Sequence, residues 1–102
     1  MKQYIKESHK IPNYRMIKVS FLGPTNTRGS RVKIYETNLY NDTKTKSKIF
    51  SYSYKTGDVL QQAINILERN GFNIVCRASE FNNYVILCDN WADEFIEVNN
   101  LK

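Results

Sequence analysis

One segment of this 102-residue chain has the signals for both ends of an α-helix, and it limits what the rest can fold into. Thr56 or Asp58 can cap its amino-terminal end, and Gly71 stands where helices commonly end in a left-handed residue. Apolar residues recur between them at intervals of three and four positions and predict one buried helix face, formed by Leu60, Ala63, Ile64 and Leu67. The sequence therefore predicts a single helix and leaves the other apolar segments to form strands.

Apolar and polar residues alternate in those other segments, the pattern of strands that bury one face. Two strands flank the loop of residues 23–31, a third covers residues 43–54, and two more flank a turn at 80–83. Residues 91–98 form a short amphipathic strand or helical turn. The order β-β-β-α-β-β predicts the α+β class, with one helix packed on a curled antiparallel sheet.

A chain of this length forms one domain with one core. We assign residues 14–98 to a single α+β domain, residues 1–13 to a polar amino-terminal arm and residues 99–102 to a carboxy-terminal tail. The arm lacks the apolar stretch of a secretory signal, and no apolar run approaches the ~20 residues of a membrane helix. The expected location is the cytoplasm, without a membrane partner.

The net charge of +5 is unevenly distributed along the chain. Residues 1–55 contain 12 Lys or Arg and 3 acids, whereas residues 56–102 contain 3 and 7. A basic half attracts phosphates or an acidic protein surface, and an acidic half opposes indiscriminate coating of nucleic acid. The distribution favours a defined basic face, although small soluble proteins also often carry a few surplus lysines.

The loop at residues 23–31, GPTNTRGSR, is the strongest candidate for a functional site. Its glycines, proline and asparagine favour unusual backbone angles, and its short side chains leave backbone amides uncovered. Arg28 and Arg31 add positive charge, so the loop suits an anion. It joins two strands and matches neither a Walker loop nor a dinucleotide motif, so a small nucleotide is not expected. The alternative is a rigid hairpin tip in which polar side chains bond their own backbone, namely those of Asn26, Thr27 and Ser30.

Basic and aromatic residues on the predicted strands extend this candidate site. Side chains of the first hairpin and of the third strand would contact phosphates: Lys18, Arg31, Lys33 and Tyr35 on the hairpin, and Lys44, Lys46 and Lys48 on the third strand. Tyr52 and Tyr54 share a strand face with Phe50 and can stack on bases if their rings are exposed. The same alternation also fits a core face opposite a serine face, and lysines on an edge strand also discourage aggregation. Exposed tyrosine rings would favour nucleic acid, and buried rings a protein partner.

The sequence shows no catalytic or metal-binding arrangement beside these residues. Its one histidine, His9, lies in the polar arm. Cys76 and Cys88 are expected to be reduced and buried as small hydrophobic residues, not disulfide-bonded or bound to zinc. Four acids near the end of the chain form a solvated face, namely Asp89, Asp93, Glu94 and Glu97. We predict a protein without enzymatic activity, cofactor, metal or small-molecule substrate.

Residues 15–88 resemble a family of small, uncharacterised proteins of bacteriophages and other mobile elements. The resemblance rests on a strand, the GPTNTRGSR loop at 23–31, a basic strand, a tyrosine-rich segment at 50–54 and a helix ending in the Asn-Gly-Phe of 70–72. It brings no activity with it and does not extend to the arm or the tail. It implies a small accessory protein that acts by binding in the cytoplasm of a host bacterium.

Two functions are open at this point. The first is a nucleic-acid-binding module that uses the basic hairpin loop and strand face. The second is a counter-defence, anti-CRISPR-like inhibitor that binds a host nuclease or nucleoprotein. Both predict that Arg28 and Arg31 contact the partner, so these two residues alone do not distinguish the functions.

Overall fold

The computed structural model describes residues 14–37, 45–80, 83–89 and 97–102. Its five strands and one helix follow in the order β-β-β-α-β-β, which confirms the α+β class. The elements are β1 (Arg15–Leu22), β2 (Arg31–Thr37), β3 (Thr45–Ser51), α1 (Val59–Arg69), β4 (Ile74–Glu80) and β5 (Asn83–Cys88). A single turn of 3-10 helix, Val98–Asn100, comes after them.

Several sequence predictions fall on residues outside those the structure describes. These are the polar arm at 1–13, Lys44 with the start of the third predicted strand, and the amphipathic segment from Trp91 as far as Ile96. The predicted strand at 43–54 is described from Thr45 onward and ends at Ser51.

All five strands lie in one antiparallel sheet, in the order β3-β2-β1-β5-β4. The central strand β1 pairs with β2 on one side and with β5 on the other. β3 and β4 occupy the two edges. The predicted curl of the sheet is not confirmed.

The core lies on one face of this sheet, which we call the helix face. Alternate residues of β1 and β2 point to it and are fully buried, as the period-two pattern predicts: Ile17, Val19, Val32 and Ile34. Helix α1 covers this face with its apolar stripe, including Ala63 and Leu67. The intervening strand residues point to the opposite face, which we call the open face. No described helix lies over the open face.

Helix α1 begins and ends as its sequence predicts. The Asp58 carboxylate accepts hydrogen bonds from the amides of Leu60 and Gln61, so Asp58 rather than Thr56 is the cap. Gly71 has a φ of 95°, and the amide of Phe72 donates to the carbonyl of Leu67. Since a positive φ is strained for other residues, glycine is required at this stop.

A charged side chain that the sequence did not single out lies buried beside the core. Arg15 is 1% exposed, and its Nε and Nη2 each donate to Glu36 at 2.8 Å. Its guanidinium carbon also lies 5.2 Å from the centre of the Phe72 ring. Burial by itself would lower the pKa of Arg15, but the hydrogen bond and charge of Glu36 outweigh it, and the pKa is raised. Arg15 is therefore charged at every ordinary pH.

The last residues of the chain take part in the core. Val98 is fully buried and Leu101 is 1% exposed, although residues 99–102 were predicted to be a tail. The Lys102 amide donates to Oδ1 of Asn70 at 3.1 Å, and Nδ2 of Asn70 donates to the Lys102 carbonyl at 3.0 Å. These reciprocal bonds attach the segment to the end of α1.

The two cysteines lie on opposite faces of the sheet. Cys88 pairs with Ile74 in the β-ladder and is buried, as predicted, but Cys76 pairs with Leu87 and is exposed. A register shift between Ile74 and Cys76 accompanies this difference. The expectation that both are buried is thus wrong for Cys76, because it lies on the edge strand β4. They form no disulfide.

The described part of the chain contains one α-helix, and it is too short to cross a membrane.

Candidate functional site

A cleft of about 430 Å³ lies where the loop between β1 and β2 meets the end of β3. The loop and the start of β2 supply Arg28, Gly29, Ser30 and Arg31. The end of β3 and the segment after it supply Ser51, Tyr52 and Tyr54. We call it the arginine–tyrosine cleft. It brings together two arginines and two tyrosines that the sequence predicted as binding residues. None of the residues described as lining it is acidic, so it offers an anion positive charge without a competing carboxylate.

Backbone and side-chain bonds hold the two walls of the cleft together. The Tyr52 amide donates to the Ser30 carbonyl at 3.0 Å, which continues the β2–β3 ladder past its last strand pair. The Tyr54 hydroxyl lies 3.4 Å from Oγ of Ser30. The loop and the tyrosine segment are therefore fixed relative to each other.

A buried glutamine on the helix supports the tyrosine wall from behind. Gln62 donates through Nε2 to the Ser51 carbonyl and accepts through Oε1 from the Ser53 amide, each at 2.8 Å. The two backbone groups flank Tyr52 in sequence. Gln62 thus joins helix α1 to the segment that presents the tyrosine rings.

Three aromatic rings form a row beside the arginines. The rings of Phe21 and Tyr52 meet edge to face at 5.5 Å, and those of Tyr52 and Tyr54 at 4.9 Å. Tyr52 is half-buried and packs against the core, whereas Tyr54 is 77% exposed and Phe21 is 45% exposed. Tyr52 thus fits the interpretation of this strand face as part of the core. Tyr54 fits the interpretation as an exposed surface.

Phe21 is the member of this row that the sequence analysis did not include among the candidate binding residues. It follows Ile17 and Val19 at the next inward position of β1, so strict alternation places it with the core residues. The available signal was its place as the last inward residue before Gly23-Pro24, where cover by the helix is least certain. In the structure Phe21 is 45% exposed, so the helix and the rest of the core do not cover its ring fully.

The loop is ordered by its own hydrogen bonds. Oγ1 of Thr25 accepts from the amides of Thr27 and Arg28, at 3.3 and 3.0 Å, and the Thr25 amide donates to the Arg28 carbonyl at 2.7 Å. These amides are thus used inside the loop, and the expectation that they are uncovered is wrong. An anion would meet the guanidinium groups instead.

The glycines of the loop do not adopt the special backbone angles that the sequence suggested. Among the described residues, positive φ occurs at Gly57 and Gly71 but not at Gly23 or Gly29. A Cβ at Gly29 would meet no atom within 4 Å. The backbone at Gly29 therefore does not require glycine. The absence of a side chain there leaves more room at the cleft.

Replacing Thr25 by Val is expected to loosen this turn without unfolding the domain. The exposed amides of Thr27 and Arg28 would bond to water, so their hydrogen exchange should accelerate about fivefold, from a net bond strength of about 1 kcal/mol. Exchange followed by NMR measures this. Thr27→Val is the matched control, because the Thr27 hydroxyl makes none of these bonds. Equal acceleration in both variants would contradict the role of Thr25.

The lysines predicted to form one strand face lie on two faces of the sheet. Lys48 is directly opposite Ile34 and so belongs to the helix face, as does Lys46 two residues earlier. Lys18 and Lys33 belong to the open face. The sequence did not separate them because it showed the alternation in each strand but not the register between strands.

These lysines also differ in their neighbours. Lys46 forms an ion pair with Glu97, and Nζ of Lys18 lies 3.6 Å from Glu80. Nζ of Lys33 lies 5.1 Å from the centre of the Tyr35 ring. Lys48 is exposed at the edge of the sheet, and Asn26 and Thr27 are exposed at the loop tip, outside the lining of the cleft.

The guanidinium of Arg31 is oriented from within the loop, because its Nε donates to the Gly29 carbonyl at 3.3 Å. Arg28 is exposed and has no such constraint among the bonds that order the turn. The cleft can therefore offer one positioned and one adaptable guanidinium beside an exposed ring. Within the described ranges, no three His, Cys, Asp or Glu residues are grouped so as to hold a metal ion.

Comparison with known proteins adds no family to this description. No protein-family model matches the chain, and no curated protein or solved structure matches it. The likeness to small phage proteins stays a prediction from sequence motifs.

Proposed function

We propose that this protein is a non-enzymatic accessory protein that binds single-stranded nucleic acid in the arginine–tyrosine cleft. One observation carries the proposal: the largely exposed ring of Tyr54 shares an open cleft with the guanidiniums of Arg28 and Arg31. Guanidinium groups bind phosphate through paired hydrogen bonds, and an exposed ring stacks on any base. A cation beside a flat apolar surface matches the two chemical parts of a nucleotide.

A single strand fits this arrangement better than a duplex. In a duplex the faces of the bases are stacked on one another, so Tyr54 would gain no partner and only the arginines would contribute. In a single strand a base can leave the stack and lie against the ring while its phosphate meets a guanidinium. A single strand can therefore contact both the exposed ring of Tyr54 and the guanidinium groups, whereas a duplex can contact the guanidinium groups only.

The three rings have different parts in this proposal. Tyr54 is the stacking residue, because it is at the exposed end of the row. Tyr52 positions it, since the two rings meet at 84° and Tyr52 is held by the core. Phe21 lies on the far side of Tyr52 and offers a second, smaller apolar surface.

Replacing Tyr54 by Ala is expected to weaken binding of a labelled single-stranded oligonucleotide about tenfold, since one stacked base contributes about 1–3 kcal/mol. Tyr54→Phe keeps the ring and should bind nearly as wild type. Fluorescence anisotropy at low and at physiological salt measures both. An unchanged affinity in Tyr54→Ala would contradict the stacking role.

The same titration tests the arginines. Arg28→Gln should reduce the slope of affinity against salt by about 0.7, because one phosphate contact to a single strand is lost. Arg77→Gln is the matched control, because Arg77 is exposed on β4 at the opposite edge of the sheet. Wild-type protein that shows no salt-dependent affinity for any oligonucleotide would overturn the proposal. It would leave the inhibitor of a host nuclease or nucleoprotein as the function to test.

A further inference from the structure

We propose that a strand bound in the arginine–tyrosine cleft continues onto the open face of the sheet along β2, where Tyr35 is a second base-stacking ring. The inference rests on the proposed function and extends it, because it names the path and the minimum length of the ligand. The proposed surface lies outside the cleft, because neither Lys33 nor Tyr35 lines the cleft.

Arg31 connects the two surfaces. It lines the cleft and is also the first residue of β2, where it pairs with Leu22 of β1 and Ser51 of β3. Alternate residues of a strand share a face, so Lys33 and Tyr35 follow Arg31 on the open face. A ligand phosphate at Arg31 would therefore lie at the start of the row formed by Lys33 and Tyr35. This row, like the cleft, places a cation beside an aromatic ring.

Tyr35 lies among cations on the open face. Lys18 is its direct partner across the β1–β2 pair, and Lys33 precedes it by two residues on its own strand. On its other side the partner is Ser47 of β3, which is small and uncharged. The ring is thus bordered by two ammonium groups. Tyr35 is half-buried, and no described helix lies over this face. A polyanion with flat bases complements this surface.

The contact between Lys33 and Tyr35 shows how the ring would be used. Nζ of Lys33 lies 5.1 Å from the ring centre, a cation–π distance. An approaching phosphate attracts the ammonium group of Lys33 away from the Tyr35 ring. A base can then stack on the face of the ring that the ammonium group has left. Base stacking is stronger than an exposed cation–π contact, so the exchange favours the bound state.

The geometry of β2 sets the length of strand that the track requires. Arg31 and Tyr35 are four residues apart, which corresponds to about 14 Å along a β-strand. Each strand of a DNA duplex advances about 3.4 Å per nucleotide, and this spacing is taken for the bound strand. About four nucleotides therefore separate the two positions, and a shorter ligand can occupy the cleft without reaching Tyr35.

The test compares oligothymidylates of about three and about ten nucleotides, bound to the full chain and followed by NMR and anisotropy. Tyr35→Ala is expected to weaken the longer ligand about tenfold and to leave the shorter one unchanged. Tyr54→Ala should weaken both. Amide shifts at Lys33 and Tyr35 should appear with the longer ligand only.

Two charge variants keep the test valid if Tyr35→Ala does not fold. Lys33→Gln should lower the salt slope of the longer ligand by about 0.7. Glu80→Gln removes the acid that lies beside Lys18, and it should tighten the longer ligand about two- to fivefold.

The outcomes separate this inference from the function on which it rests. If the longer ligand binds with dependence on Tyr54 but is unaffected by Tyr35→Ala and by both charge variants, the track along β2 is overturned and the cleft is retained. If neither oligonucleotide binds to wild-type protein, the proposed function and the track are overturned together.

Discussion

Glu36→Gln is expected to lower the free energy of unfolding by about 3 kcal/mol, although Glu36 lies outside the proposed binding site. The substitution removes the carboxylate that accepts both described Arg15 hydrogen bonds, and burial disfavours a charge that has lost its carboxylate. Arg15 cannot escape by losing its proton, because a guanidinium group stays protonated in proteins. Urea unfolding followed by circular dichroism measures the loss as a lower midpoint with an unchanged slope.

Two further variants show whether burial is the cause. Lys46→Gln breaks the ion pair with Glu97, in which both side chains are about half exposed, and should cost less than about 1 kcal/mol. Replacing both partners of the buried pair, Arg15→Met with Glu36→Leu, should recover most of the stability, because the buried charge is removed together with its carboxylate. A Glu36→Gln loss no larger than that of Lys46→Gln would contradict this account.

Leu101→Ala is expected to destabilise the domain by about 3 kcal/mol, the usual cost of a large cavity in a core. Leu101 is 1% exposed and belongs to the same cluster as Val98 and the β1 core residues. The reciprocal bonds between Asn70 and Lys102 limit how far the segment can collapse into the space. Thermal unfolding should show a decrease in Tm of about 10 °C or more.

Asn100→Ala is the matched control, because Asn100 is the preceding residue and its side chain is exposed. It should change the stability by less than about 0.5 kcal/mol. If the two variants unfold at the same temperature, Leu101 is not a core residue and the domain ends earlier than we infer.

The fold was predictable wherever a local signal determines the structure. The carboxylate of Asp58 caps α1, and Gly71 ends it, because both depend on a few neighbouring backbone groups. The buried residues of β1 and β2 follow from alternation alone. Leu101 was missed since a lone leucine near the end of the chain has no periodicity to reveal its burial.

The site was predictable in its composition but not in its extent. Arg28, Arg31 and Tyr54 were identified from residue type and spacing, and the structure places them in one cleft. Phe21 was missed because its exposure depends on where the helix stops above it. Lys33 and Lys48 were assigned to one surface because the strand register, which separates them, is a long-range property.

The position of β1 in the sheet also has a consequence for how the chain folds. The residues of the proposed binding surface all precede the helix, yet β1 reaches its final pairing only with β5, where Arg15 meets Cys88. During synthesis the first three strands leave the ribosome before the helix and β5 that cover and complete their sheet. The pairing of β1 with β5 joins residues that are far apart in the sequence, so it should form late and slowly during folding. The proposed binding surface is thus made early, but the sheet that carries it is complete only after β5 has been synthesised.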